Sequence, residues 1–346
     1  MRLKAGVIGL GGMGRTHLKT LRGIPDVDVV AVCDIEPKRL EDLDKAVAIN
    51  VDTGVAGPAG APAVRKHRDY RRMLKDERLD LVAICTPTHL HAEMIIAALK
   101  AGLHVFCEKP IALTGRQADR VVRAAARADR ALLIGHVLRF WPDYVAIKKI
   151  INSGRHGRVL SAVFRRIGGT PGWGVDNWFL QPRQSGGVPL DLHIHDVDTI
   201  QWFFGPPEAV RARGVTGVNG CLTHVVADFR WAGSRGRPMV LAEAAWLDRP
   251  YPFFATLTVR LESATVEFEP HRTPTLTVYR GRANRKVHPP LPAEGSYKGE
   301  VEYFVKCLQA GRPCDRVPLA EAAADVRIVE AEMRSIRTGR FVRVPP

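Results

Sequence analysis

Leu3-Lys4-Ala5-Gly6-Val7-Ile8 runs directly into Gly9-Leu10-Gly11-Gly12-Met13-Gly14, and this junction decides the fold. The short apolar run reads as a strand, the glycines as a tight turn, and Gly12 and Met13 as the start of a helix. Gly9, Gly11 and Gly14 occupy the three positions of G-x-G-x-x-G. The first lets the chain turn sharply, the second lets backbone N–H groups approach a pyrophosphate, and the third lets the helix lie close on the strand. The positive end of that helix then faces the phosphates.

The flanking sequence supports this reading. A second apolar run, Val27 to Cys33, ends at Asp34, twenty residues after Gly14, where a ribose-binding carboxylate belongs. Asp34 there accepts from both ribose hydroxyls and repels a 2′-phosphate, so NAD is favoured over NADP. Lys38 and Arg39 follow closely, and either can pair with a phosphate, which weakens that preference.

At 346 residues the chain is long enough for about two domains, each with its own core. The N-terminal apolar stretch turns into the glycine loop without a cleavage site, so no secretory segment is expected. No apolar run approaches the roughly 20 residues that cross a bilayer. The six cysteines are scattered with no C-x-x-C, which suggests reduced thiols in a cytoplasm rather than disulfides or zinc ligands. The formal charge of +15 comes from dispersed basic residues without a basic tail or stacking aromatics. A solvated basic surface is therefore expected, with neither a nucleic acid nor a membrane as partner.

Strand and helix patterns alternate through residues 1–136. Helices are expected over about Glu36–Ala48, Tyr70–Lys75, from a Thr88 cap to Ala101, and over Gln117–Ala128. Leu79–Cys85, His104–Cys107 and Ala131–Gly135 read as strands, and Asn50–Ala63 as a loop. The alternation predicts a doubly wound parallel α/β sheet. Beyond it, a helix over Tyr144–Ser153, a strand over Val159–Ile167 and a helical spacing over Asp191–Phe204 precede five consecutive β-rich runs between Val210 and Phe268. Strands without intervening helices predict a largely antiparallel open sheet in an α+β domain over 137–346. Two helices, about Tyr297–Ala310 and Leu319–Thr338, end the chain, and the last is expected to pack back on the N-terminal domain.

Two stretches carry chemistry. Lys109 follows a strand on the carboxyl edge of the parallel sheet, where ligands bind in this architecture. It can hold a substrate hydroxyl and favour loss of its proton, or it can be a surface lysine paired with Glu108. In Asp191-Leu192-His193-Ile194-His195-Asp196-Val197-Asp198, a helix places Asp191 and His195 on one face, with Asp198 one turn beyond. Carboxylates beside an imidazole suit general acid–base work. Asp191 and His195 can equally be metal ligands, but no further ligand is indicated and no metal is expected.

Together these motifs resemble the glucose–fructose oxidoreductase / inositol dehydrogenase (Gfo/Idh/MocA) family over nearly the whole chain. The residues concerned are Ala5 to Gly14, Cys85-Thr86-Pro87-Thr88-His89-Leu90-His91, Ala101 to Pro110 with its Glu108-Lys109-Pro110 ending, Gly186-Gly187 with Asp191 to Asp198, and Arg334 to Gly339. The resemblance implies a hydride-transferring dehydrogenase in which His195 takes the proton of a substrate hydroxyl, Lys109 polarises that hydroxyl and Asp191 helps to position it. It also implies that Thr86, Pro87, His91, Glu108 and Lys109 lie along the cofactor with Gly9, Gly11, Gly12, Met13, Gly14, Asp34 and Arg39. The second domain's sheet would hold a homodimer or homotetramer together. His193 departs from the family pattern, where a small residue is common, and can reshape the pocket.

A small polyhydroxylated substrate, a cyclitol or sugar, is expected from Trp178 and from the His195-Asp196-Val197-Asp198 form, which is similar to that of inositol dehydrogenases. Arg139, Arg165 and Arg166 near the expected pocket keep a carboxylated sugar in play. Two readings from other classes are an NAD-dependent glycosidase working by transient oxidation and a silent NAD-binding regulator.

Overall fold

The structure, a computed structural model, describes residues 2–41, 43, 63–233, 237–281, 285–292 and 295–345. The chain divides into two compact units, Met1–Val137 with Gly295–Ala323, and Leu138–Glu294 with Ala324–Pro346.

In the first unit, strands β1 (Leu3–Ile8), β2 (Val27–Cys33), β3 (Arg65–His67), β4 (Leu81–Ile84), β5 (His104–Glu108) and β6 (Leu132–Gly135) form one sheet in the order β3-β2-β1-β4-β5-β6. Every pairing is parallel. A parallel sheet covered on both faces needs strands that are apolar throughout, and all four residues of β4 and of β6 are buried. The order reverses between β1 and β4, which leaves a crevice at their carboxyl ends. The connecting helices are α1 (Gly12–Arg22), α2 (Pro37–Glu41), α3 (Tyr70–Asp76), α4 (His91–Lys100) and α5 (Gly115–Arg127). Asp69 caps α3 by accepting from the Arg71 N–H, and Thr114 caps α5 by accepting from Gln117.

Two local expectations change. Of the helix expected over Glu36–Ala48, α2 covers Pro37–Glu41; beyond it only Leu43 is described, and the expected Asn50–Ala63 loop is outside the described residues except for Ala63. Thr88 is not the cap of α4. It opens a 3-10 turn, Thr88–Leu90, and its carbonyl accepts from the His91 N–H.

The second unit is built on a nine-stranded sheet. Its strands are β7 (Val159–Gly169), β8 (Ala209–Thr216), β9 (Leu222–Arg230), β10 (Met239–Leu247), β11 (Phe254–Leu261), β12 (Ala264–Phe268), β13 (Leu276–Arg280), β14 (Arg285–Val287) and β15 (Val342–Arg343), in the order β14-β13-β12-β11-β7-β10-β9-β8-β15. The pairings are antiparallel except for β7 with β10. The sequence had not indicated the last three strands. Along β7, Phe164 and Arg166 are buried while Val163 and Arg165 are exposed, as the two-residue period of a strand requires. The helical elements are α6 (Pro142–Asn152), α7 (Pro182–Ser185), α8 (Gly187–Asp191) and α9 (Ile194–Phe204); α10 (Ser296–Gln309) packs on α1 in the first unit, and α11 (Leu319–Thr338) closes the chain. No helix among the described residues is long and apolar enough to cross a membrane.

Candidate functional site

The glycine turn has the shape that a dinucleotide needs. Gly9 has φ +88°, and a Cβ there would lie 2.6 Å from the Cys85 carbonyl oxygen. A Cβ on Gly14 would lie 1.8 Å from the Gly9 carbonyl oxygen, so only glycine lets α1 sit this close to β1. At Gly11, by contrast, an added Cβ would meet only Arg39 Nη1, 3.8 Å away. The backbone there is open to an approaching group. Gly11 also caps α1 without a side chain, so the first-turn N–H groups of Gly12, Met13 and Gly14 have no intrahelical acceptor.

Asp34 ends β2 beside this turn and is buried. Its Oδ2 accepts from the Leu10 N–H at 2.6 Å and its Oδ1 from the Glu36 N–H at 2.9 Å. Each oxygen keeps a lone pair for a ribose hydroxyl. Arg39 Nη1 stands 3.5 Å from Asp34 Oδ2, so the cation able to meet a phosphate is already beside the carboxylate. Open backbone at Gly11, unsatisfied helix N–H groups and a fixed carboxylate together fit a dinucleotide.

At the ends of β4 and β5, His91, expected along the cofactor, is buried. Its Nδ1 stands 2.7 Å from the Pro110 carbonyl oxygen and its Nε2 2.8 Å from that of Thr86. It therefore ties the Thr86-Pro87 loop to the Lys109-Pro110 loop. Burial pushes its pKa down, against the pull of the two carbonyls.

Glu108 is buried too, and its Oε1 meets His17 Nε2 at 2.6 Å while its Oε2 accepts from the Lys109 N–H at 3.2 Å. Burial works to raise the Glu108 carboxyl, but the bond and charge of His17, with Lys109 behind them, hold it below its ordinary value. Lys109 is half-buried. His17 was not singled out in the sequence. The available signal was its place three residues after Gly14, on the inner face of α1.

In the second unit, the stretch from Gly187 to Gln201 is buried except at Asp191 and His195. The continuous helix expected there is broken. α8 ends at Asp191, α9 begins at Ile194, and the His193 N–H reaches back to the Val188 carbonyl oxygen at 2.8 Å. That bond spans one residue more than an α-turn, so Asp191 and His195 are related by a widened turn, of a kind frequent at functional sites, rather than by regular i,i+4 spacing.

The other polar residues of this stretch are held in ion pairs. Asp196 accepts from Arg166 Nη2 at 2.9 Å, and Arg166 also donates to the Tyr144 hydroxyl. Asp198 takes Nε and Nη2 of Arg139 at 2.9 and 2.7 Å. Asp198, expected one turn beyond His195, is thus the carboxylate that holds Arg139.

Three residues expected at or near the substrate pocket are also held by carboxylates. Arg139 is buried with its guanidinium on Asp198. Arg165 points to the exposed face of β7, away from α9, where its Nε donates to Glu243 Oε2 at 2.8 Å. His193 has no solvent exposure, and its Nε2 meets Glu332 Oε1 at 3.2 Å. Trp178 is half-buried in the turn Val175–Leu180, stacked on Phe179 with ring centroids 4.0 Å apart. Among the described residues, neither Asp191 nor His195 belongs to a cluster of side chains with metal-ligand spacing.

Residues 3–136 match the model of an oxidoreductase family with an NAD-binding Rossmann fold, GFO_IDH_MocA, and residues 144–266 match the model of the GFO/IDH/MocA C-terminal domain. The chain is 30% identical over 205 residues to a myo-inositol 2-dehydrogenase of Thermotoga maritima, covering 59% of this chain and 55% of that protein. It is 26% identical over 359 residues to an inositol 2-dehydrogenase of Rhizobium meliloti, covering 99% and 100%. The chain thus spans only about half the length of the first curated relatives it matches. Among solved structures, levoglucosan dehydrogenase in complex with NADH and levoglucosan superposes over 100% of both chains with a TM-score of 0.83 at 22% identity, a likeness of fold. Myo-inositol 2-dehydrogenase from Lactobacillus plantarum does so over 100% of both chains with a TM-score of 0.79 at 25% identity.

Proposed function

Because the chain belongs to the Gfo/Idh/MocA family of oxidoreductases, whose N-terminal domain is an NAD-binding Rossmann fold, we propose that it oxidises a secondary alcohol of a cyclitol or sugar, as an inositol 2-dehydrogenase does. The observation that carries this reading is that Asp191 and His195 are the two residues reaching solvent in an otherwise buried stretch. The inositol 2-dehydrogenase relative that aligns over the full length of both chains supports the substrate class.

NAD, when bound, supplies the acceptor for the hydride. The remaining work falls to the chain. Gly11, Gly12, Met13 and Gly14 offer N–H groups to the pyrophosphate. Asp34 takes the ribose hydroxyls, with Arg39 beside it. His91 and Glu108 hold the two loops that carry Thr86, Pro87 and Lys109. The Lys109 ammonium polarises the substrate hydroxyl, His195 accepts its proton, and Asp191 keeps the hydroxyl in line. Trp178 offers an apolar face to the sugar ring.

Residues 1–136, together with Gly295–Ala323 of the same compact unit, are read as the cofactor domain, and the rest of 137–346 as the substrate and oligomerisation domain. Exposed Val163, Val226 and Met239 on the nine-stranded sheet favour a homodimer or homotetramer through that face. Six cysteines without a disulfide suit a cytoplasmic setting.

The test is NADH formation with NAD and a panel of inositols, aldoses and sugar acids. Lys109→Ala and His195→Ala should each lose roughly 100- to 10,000-fold in turnover while still binding NADH. Full turnover in either variant would remove that residue from the mechanism. NADH-free multiple turnover of a glycoside would point instead to transient oxidation.

A further inference from the structure

The turn between α8 and α9 is held from an unexpected direction. His193 is its central residue: its N–H reaches the Val188 carbonyl, and its own carbonyl accepts from Asp196 at 2.9 Å and Val197 at 3.0 Å. The imidazole turns inward to Glu332 on α11, and neither side chain has any solvent exposure. Among the described residues this bond is the only one that either side chain makes, since His193 Nδ1 and Glu332 Oε2 are buried without partners. Two helical turns away on α11, Asp325 accepts from Gln201 of α9 at 2.8 Å. α9 and α11 are therefore tied at two points, two helical turns apart on α11, and the His193 tie lies at the turn.

We propose that His193 and Glu332 form a positioning pair, which by fixing the turn between α8 and α9 to α11 sets the directions of Asp191 and His195. The proposal rests on the reading of those two residues as the catalytic pair. Each is two positions from His193, one on either side, so a rotation of the turn moves both. A small residue at position 193 would leave the turn without this anchor.

The charged groups around His193 are Glu332 from α11, Asp196 from α9 and Arg166 from β7. Burial alone would lower its pKa, but the Glu332 charge and hydrogen bond outweigh that and raise it. Arg166 opposes, but is itself paired with Asp196. For a histidine with a raised folded pKa, the ionic part of the pair's stabilisation is complete at low pH and is lost as pH rises through the folded value. The neutral imidazole keeps one N–H, which at Nε2 still donates to Glu332.

Hydrogen exchange of peptides covering 188–197 tests the pair without any substrate. Glu332→Leu and His193→Leu should speed exchange there at least about tenfold. His193→Gln, which keeps a donor at the Nε2 position, should stay near wild type. With myo-inositol and NAD as probes, Glu332→Leu should lower kcat roughly 10- to 100-fold, leave the KM for NAD unchanged and raise the isotope effect with deuterated myo-inositol. Unchanged exchange in both disruptive variants would overturn the proposal, as would a kcat loss that merely tracks the fraction folded. Failure of the catalytic reading looks different: His195→Asn would keep wild-type turnover while the exchange result stood.

Discussion

Glu300 on α10 has no solvent exposure, and both its carboxyl oxygens lack a hydrogen-bond partner among the described residues. It shares a buried cluster with Glu108 and His17 whose polar atoms lie within 4.8 Å of one another. Burial first, and then the Glu108 charge, push its pKa well above the ordinary 4.5. Folding therefore holds a proton on Glu300 that the unfolded chain has released. For a carboxyl raised on folding, the native state binds more protons, so stability falls as pH rises from the ordinary value toward the folded one. The slope is about 1.4 kcal/mol per pH unit. The cost grows with each pH unit climbed until the folded value is passed. Glu300→Gln has the same shape and no proton to hold. Its stability relative to wild type should improve steadily as pH rises above 4.5, by up to about 1.4 kcal/mol per pH unit, whatever fixed cost its amide carries. All six tryptophans lie between Trp141 and Trp246, outside the first unit, so their fluorescence would report the wrong part of the chain. A urea series read by pulsed hydrogen exchange on β5 and α10 peptides reports the right one. A difference between variant and wild type that stays constant from pH 4.5 to pH 7 would refute a neutral Glu300.

Gly14→Ala should abolish NADH binding, because its Cβ would have to occupy a point 1.8 Å from the Gly9 carbonyl oxygen; NADH fluorescence in titration with the folded variant checks this, and retained affinity would contradict the glycine-turn reading. Asp34→Ser removes the carboxylate next to Arg39 and should raise the kcat/KM ratio of NADP to NAD at least about tenfold; an unchanged ratio would take Asp34 out of cofactor choice. Asp198→Ala leaves the Arg139 guanidinium buried without its carboxylate and should cost about 3–5 kcal/mol. Tryptophan fluorescence in urea suits that variant, and a loss under 1 kcal/mol would show that Arg139 finds water.

The sequence showed the parallel sheet because each of its signals was local. β1 and β2 are continuous apolar runs with a glycine turn and a carboxylate at their ends, and the observed strands have the expected limits. β13 was not seen because Leu276–Arg280 follows a polar, proline-containing turn, and β15 is two residues long and exists only by pairing with β8. The site divides in the same way. Asp191, His193, His195, Asp196 and Asp198 all looked able to do chemistry, since residue type and spacing were all that could be judged. What separates them lies far along the chain: Glu332 takes His193, Arg166 takes Asp196, and Arg139 takes Asp198. A buried charge without such a partner would cost several kcal/mol, so each of these three residues is bound to the scaffold by its own burial. The same distant partners make the widened turn at His193 invisible in sequence, because residues 191–204 fit an unbroken helix until Glu332 is brought against them. Asp191 and His195 are the members of the set that reach solvent, and selection by burial rather than by residue type is what makes them the candidates for proton transfer.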